Sequence, residues 1–451
     1  MNQKDIEPFL QGRFELDCPI IELIPFEPDS KKPSLSGSGF ISISEDGHFN
    51  LKVYFSKSFS IDETFEKLGW EAGKVIGDEF YYNLIAHDIQ GNTWHAERFI
   101  PDKNSGPNGS MIIGQIPELR QIQETNIDKN KNFLQLYFNE TIKVPLNTVV
   151  KEQETVGDKT RRLKTSIRLA RFEAINIDFE IEVRDGYTVL SAATDEIELN
   201  DININRIFEA FCFVTANPEF WSILIIRRNG AIETRVRAVK TKKIKSRTPP
   251  PISFQKIQEN KSVWQLFESY LKHGTSNNVD FYHPISRLFY SILESGKASL
   301  DVEALTLSVS IESLLNDELS HLYSISSELN KNIECVEQII NESEILDADF
   351  KNRIQGSISA MKKARAKDIL FVLRDGELVD RELVKTYGEL RNKTAHGVRD
   401  SGADIQNYFN QVSAVLVLFF QLVFLIIKYN GEYTDYGSYQ YPTKIFEGRL
   451  P

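Results

Sequence analysis

Cysteine is scarce in this 451-residue chain, with only Cys18, Cys212 and Cys335, far apart in sequence. No CxxC pair exists, so neither a zinc knuckle nor a disulfide framework is on offer, and a reducing, cytoplasmic setting fits best. Positive charge is also in deficit. Lys and Arg number 53 against 64 Asp and Glu, a formal net charge of -11 that argues against coating nucleic acid through the overall field. The N-terminus, MNQKDIEPFL, lacks the basic start and apolar run of a signal peptide. Internal repeats and low-complexity tracts are missing, as are a GxxxxGK[ST] phosphate loop, an HExxH zinc helix and a GxSxG elbow. The single long apolar run, residues 412–427, is interrupted by Ser413 and Gln421 and falls short of the roughly 20 residues a bilayer needs. It reads as a buried helix, with no membrane partner.

What remains is the composition of a soluble globular protein, 41% hydrophobic and 26% charged, long enough for two or three cores. From about residue 10 to 245 short alternating runs rich in Ile, Val, Phe, Tyr and Thr are separated by Gly, Asn and Asp turns, the texture of strands. Asp185-Gly186 and Asn229-Gly230 interrupt such runs as two-residue hairpin turns, because both dipeptides tolerate positive φ. A helix is expected around 205–217. At Thr248-Pro249-Pro250-Pro251 three prolines deny the chain helix and central-strand geometry, and the pattern beyond them is helical. The expected fold class is therefore α+β and multidomain. A β-sandwich or barrel-like region, in one or two lobes, spans 1–247; a proline-rich linker spans 248–255; an all-α bundle spans 256–451. Helices are predicted at 301–317, 319–342, 347–363, 367–374, 379–396 and 402–429. The last is apolar on every face and must be covered all round, by its own bundle or by a second subunit.

Chemistry is sought first at Arg391-Asn392-Lys393-Thr394-Ala395-His396, near the end of a predicted helix. At 100° per residue Asn392 and His396 share a face, while Arg391 and His396 lie about 140° apart. Gly397 suits the left-handed residue that ends a helix and leaves the imidazole near solvent. An arginine that grips phosphate and a histidine that titrates near neutrality are the minimum equipment for cleaving RNA without metal or other cofactor, the 2′-hydroxyl serving as nucleophile. The bland reading is a helix-terminal histidine beside a solvated arginine.

The string LRNKTAHG in a helical C-terminal domain resembles the R-x4-6-H motif of the HEPN superfamily, in its RN-xxx-H form. A long β-rich region preceding it is similar in arrangement to the ApeA-type HEPN proteins of bacterial antiphage defence. The resemblance implies a metal-independent endoribonuclease acting as a homodimer, with Arg391, Asn392 and His396 as catalytic residues and a phage-derived trigger sensed by the N-terminal region. Glu312, in IESLL, resembles a supporting acidic position of some such domains; the bland alternative is a solvated glutamate. HEPN toxins controlled by a nucleotidyltransferase carry a tyrosine two residues after the histidine, and here Val398 stands there, so that mode of control loses support.

Two basic clusters offset the acidic total. Residues 227–247 hold nine Lys or Arg and one acid, and 159–171 hold six and none. Arg227, Arg228, Arg235, Arg237, Lys240, Lys242 and Lys243 are the candidate RNA-backbone contacts, against the reading that they balance acids elsewhere. His87, Asp88, His95 and Glu97 read as sheet-surface residues more readily than as a metal site. The rival to a nuclease is a non-catalytic dimeric sensor that binds a ligand or RNA.

Overall fold

The computed structural model describes the chain except residues 1–2, 30–31, 45, 57–58, 60–72, 107–108, 125–131, 157–158, 229, 240–243, 255–260, 277–279, 344, 363, 397–404 and 449–451; for 3–4, 150–167 and 394–396 it describes the backbone alone. The architecture is α+β, as expected. Two compact units are present: residues 1–204 with 219–244, and residues 205–218 with 245–451.

The first unit opens with helix α1 (Gln3–Leu10), followed by strands of one antiparallel sheet. From one edge the order is β10 (Thr148–Val156), β11 (Lys159–Ala174), β12 (Ile177–Arg184), β13 (Tyr187–Thr194), β9 (Asn132–Phe138), β14 (Ile223–Arg228) and β15 (Ala231–Arg237). It continues through β8 (Glu118–Glu124), β5 (Thr93–Phe99), β4 (Tyr82–His87), β1 (Glu15–Pro25), β2 (Leu35–Ile43), β3 (Phe49–Phe55), β7 (Gly109–Ile116) and β6 (Asp102–Gly106). Among the described residues hydrogen bonding thus runs as one antiparallel series of 15 strands, β8 and β15 joining an earlier and a later half. Alternation along a strand fixes which face is buried but not which neighbour it pairs with.

Both predicted hairpins form. Arg184 pairs with Tyr187 across Asp185-Gly186, where Gly186 has φ +85°, and Arg228 pairs with Ala231 across Asn229-Gly230. Pro19 sits where the β1–β2 register shifts, the bulge that lets a residue without an N–H occupy an interior strand. Leu16, Cys18, Ile21 and Leu23 keep to the buried face across that bulge and join a core with Phe9 of α1, Phe49, Leu51 and Trp94. Burial, with Asp88 and Asp17 adding to it, pushes the Cys18 thiol up to about 12, so it packs as an apolar group.

The second unit takes most of helix α2 (Asp201–Thr215), then α3 (Lys261–Ser276), α4 (Pro284–Ser295), α5 (Leu300–Ser313), α6 (Ser327–Glu342), α7 (Ala348–Met361), α8 (Ala366–Asp375), α9 (Arg381–His396) and α10 (Ile405–Ile426). The helix predicted over 319–342 begins only at Ser327. Ser326 accepts the Leu329 amide at 3.1 Å as its cap, and a π-turn (Leu314–Glu318) and a 3-10 turn (Ser320–Leu322) fill the chain before it. A closing hairpin, β16 (Gly431–Thr434) and β17 (Thr443–Phe446), escapes the sequence reading because each strand has only four residues.

Two boundaries differ from expectation. Residues 248–254 are packed rather than free: Thr248 and Ile252 are buried, Pro251 O accepts the Thr434 amide at 3.0 Å and Pro250 O accepts the Tyr436 hydroxyl at 2.8 Å. Prolines break helices and strands, yet their carbonyls remain good acceptors. Residues 205–218 belong with the helical unit, held by chemistry that composition does not announce. Phe213 stacks on Tyr270 at 4.7 Å and meets Phe289 and Phe420 edge-on. Arg206, 1% exposed, donates to Glu209 at 2.7 Å and to the carbonyls of Gly274, Phe281 and Asp280, while Glu209 accepts the His283 amide at 2.9 Å. Burial raises the Glu209 pKa despite the cation beside it.

This buried pair is the pin of the helical unit. Arg206→Ala strands the Glu209 carboxylate without its cation and is expected to lower unfolding stability by about 3–5 kcal/mol in urea titration; a loss below about 1 kcal/mol refutes the assignment.

His283 gives a pH dependence. Its Nδ1 accepts the Ile285 amide at 3.2 Å, capping α4, which requires a neutral ring. Burial first, then His273, Arg206 and Arg287, pushes its pKa down to about 4, with Asp280 opposing, and burial lowers His273 as well. The unfolded imidazole protonates near pH 6.5 while the folded one resists, so stability is complete above 6.5 and falls toward pH 4 by up to about 1.4 kcal/mol per pH unit. His283→Asn, which keeps a cap acceptor and cannot titrate, should shallow that slope; an unchanged slope contradicts the assignment.

Candidate functional site

Helix α9 carries the RNKTAH segment. Asp380 starts it, its Oδ1 accepting the Glu382 amide at 2.9 Å while its own amide donates to Gln421 Oε1 of α10 at 3.2 Å. Leu383, Val384, Tyr387 and Leu390 form the buried stripe, and α9 packs against α10 and α5. Gln421, the polar break in the apolar run, also donates to the Tyr433 hydroxyl at 3.1 Å, so both ends of its amide are satisfied inside the bundle. Every residue from Ala414 to Ile426 of α10 is buried. The helix is long and apolar enough to cross a membrane, and the bundle covers 78% of its most apolar window. Of the two coverings that the sequence allows for this helix, the chain's own bundle supplies most of one.

Arg391 lies at the rim of the buried stripe with its side chain 50% exposed, and Asn392 is exposed beyond it. Glu312, in the last turn of α5, reaches Arg391 across 79 positions of sequence: Arg391 Nε donates to Glu312 Oε1 in an ion pair. That hydrogen bond raises the guanidinium pKa, so Arg391 is a fixed cation. The glutamate is therefore a partner of the motif arginine, a contact that sequence separation hides. One turn before Arg391, Tyr387 is 5% exposed; burial, and next the charge of Glu312, push its phenol pKa up, and its hydroxyl lies within hydrogen-bonding reach of both Glu312 and Arg391. An alternating or helical pattern reads such a tyrosine as core, and its position four residues before the arginine is the only signal that could have flagged it. His396 is the last residue of α9; its side chain, and Gly397 with the expected helix cap, lie outside the described residues.

The basic cluster of the β unit is engaged by carboxylates. Glu233, 4% exposed, pairs with Arg120 at 2.7 Å, Arg235 at 2.6 Å and Arg228 at 3.0 Å. Arg235 also reaches Asp201 at 2.8 Å. Arg237 pairs with Glu118 at 2.9 Å and lies 3.8 Å from the Trp221 ring, and Arg227 lies 5.8 Å from the Phe133 ring. Acids distant in sequence thus meet the local excess of base. Lys240, Lys242 and Lys243 lie outside the described residues, as do the side chains of 159–167.

Asp88 is likewise a structural group: its carboxylate accepts the Trp94 indole at 3.0 Å and the Asn92 and Gln90 amides at 2.8 and 2.9 Å, and His87 Nδ1 meets Thr93 Oγ1 at 3.1 Å. Among the described residues no group of three or more His, Cys, Asp or Glu is placed to hold a metal. The β unit does have a cavity of about 420 Å³, lined by Glu7, Tyr137, Glu182, Arg184 and Tyr187. Arg184 donates there to Glu182 at 2.9 Å and to the Tyr187 hydroxyl at 2.8 Å. In comparisons with known proteins, no family model, curated protein or solved structure matches this chain.

Proposed function

We propose that the chain is a metal-independent endoribonuclease of the HEPN type, cytoplasmic and active in antiphage defence, cleaving cellular RNA such as tRNA. The observation that carries the reading is Arg391: a permanent cation, half exposed at the end of α9, on the helix that His396 terminates, and held by Glu312 of a second helix. A guanidinium so placed offers a fork to a phosphodiester at the surface. In the proposed reaction His396 takes the proton of the 2′-hydroxyl or returns one to the 5′-oxygen. Arg391 stabilises the charged phosphorane, Asn392 orients the phosphate and a 2′,3′-cyclic phosphate is left. The link to defence rests on the resemblance in arrangement, with the β unit sensing a phage-derived trigger.

The reading includes a homodimer. Val302, Leu305 and Val309, at 46%, 53% and 55% exposure, form an apolar stripe on α5 that continues at helical spacing to Glu312. A second copy seated on that stripe covers it and lies beside each Arg391. Light scattering should report a species near twice 51.7 kDa, and Leu305→Asp should halve it; a monomeric wild-type chain ends the dimer proposal.

Cleavage is tested with purified protein, total RNA, EDTA and an extract of phage-infected cells. The expected result is new RNA ends bearing cyclic phosphate, diminished at least about 100-fold by Arg391→Ala and by His396→Ala while folding and assembly persist. RNA left intact under every condition favours the non-catalytic sensor.

A further inference from the structure

One face of the sheet in the β unit carries a trough. Cross-strand pairing aligns Phe133, Gln135 and Tyr137 of β9 with Ala193, Ser191 and Val189 of β13, and these in turn with Asp178, Glu180 and Glu182 of β12. Residues so paired, and residues two apart on a strand, point to the same side of a sheet. The small side chains of β13 therefore make a floor between an aromatic and amide wall on β9 and an acidic wall on β12. Two adjoining hollows of about 560 and 420 Å³ lie along it, sharing Gln135, Glu180 and Ser191, and α1 lines the second through Ile6 and Glu7. From Tyr187 to Ala193 the floor is roughly 20 Å long at the rise of a strand, the span of about six residues of extended peptide.

The charge of this trough is unbalanced. Its lining holds five carboxylates, Glu7, Glu173, Asp178, Glu180 and Glu182, against two guanidiniums, Arg171 and Arg184. Both cations are engaged: Arg171 pairs with Glu180 at 2.6 Å and Arg184 with Glu182 at 2.8 Å. Arg227 of β14 stands across β9 from them, 5.8 Å from the Phe133 ring. Glu173 lies directly opposite Asp178 across β11 and β12, and like charges so placed destabilise a sheet. Among the described residues neither of these acids, nor Glu7, has an ion pair or a side-chain hydrogen bond. Donors are present as well. Ser191 accepts from Gln135 at 3.3 Å and Tyr187 from Arg184 at 2.8 Å, and each hydroxyl keeps its own proton to give to an outside acceptor. We propose that the trough binds an extended basic peptide segment. Its lysine or arginine side chains meet Asp178 with Glu173 at one end and Glu7 at the other, and Ser191 and Tyr187 donate to its carbonyls. A polyamine brings the charge without carbonyl acceptors, so the two hydroxyls favour a peptide. The inference gives a chemistry to the trigger that the β unit is proposed to sense, and it holds whether or not the helical unit cleaves RNA.

The test is fluorescence anisotropy on the full chain, titrated at low salt against a labelled Lys-Ser-Lys-Ser-Lys-Ser peptide. Glu173→Gln combined with Asp178→Asn should weaken binding about 5- to 10-fold, the size of two exposed charge pairs. The same double variant should melt at an unchanged or higher temperature, because a like-charge pair is removed. Ser191→Tyr, which fills the floor, should abolish binding, while Glu328→Gln with Glu334→Gln on α6 should leave it unchanged. A parent chain that does not bind the peptide overturns the proposal. So does a loss as large in the α6 variant, or no loss in either trough variant, since both mark attraction to the chain's net charge of -11. A lower melting temperature for the double variant shows the acids to be structural and also overturns it. Unlabelled spermine that displaces the probe as well as the unlabelled peptide does removes the peptide assignment.

Discussion

A helix apolar on every side has to be enclosed, and the enclosure of α10 dictates much of the helical unit. Phe419 and Phe420 meet Phe289 and Phe213, and Phe424 meets Tyr429, Tyr433 and Phe446. Satisfying that demand draws α9 and α5 onto α10, with Leu383 and Leu390 of α9 and Ala304, Leu307 and Ile311 of α5 buried. Once those side chains are committed, the remaining residues of α9 have nowhere to point but outward, and Arg391 and Asn392 are among them. The candidate site is therefore a by-product of the packing: the residues that close the core fix the angle at which the motif leaves it.

Charge in this protein is managed locally and at long sequence range. Glu233 gathers three arginines, Glu209 is matched to Arg206 inside the bundle, and Glu312 is matched to Arg391 at the surface. Arg206 and Glu209 are both nearly dry and Glu233 is buried beneath its partly exposed arginines, and both arrangements serve architecture, since a buried ion without its partner is costly. The third is wet, with half of the arginine in solvent. Exposed pairs contribute little to stability and are easily exchanged. A guanidinium that can leave its carboxylate at small cost is available to a phosphate, which is why the weakest of the three pairs is the one with a functional reading.

The legibility of the fold followed the range of the forces involved. The Asp-Gly and Asn-Gly turns and the change of texture after residue 247 act over a few residues, and each is visible in the sequence. The packed state of 248–254 and the membership of 205–218 in the helical unit depend on Thr434, Tyr436, Tyr270 and Gly274, residues far along the chain. No window contains both halves of those contacts.

The same division runs through the site. The sequence by itself determined the α+β order of the chain, and which face of each strand and helix would be buried, because those follow from period and from turn chemistry. It also set Arg391, Asn392 and His396 on one helix. Only the tertiary structure decided that Glu312 meets Arg391, that the Tyr387 hydroxyl lies beside them, and that the arginines of β14 and β15 are met by Glu118, Asp201 and Glu233. A local pattern records what a residue prefers to face; its partner is chosen by the folding of the whole chain, through contacts whose sequence separation leaves no periodic trace.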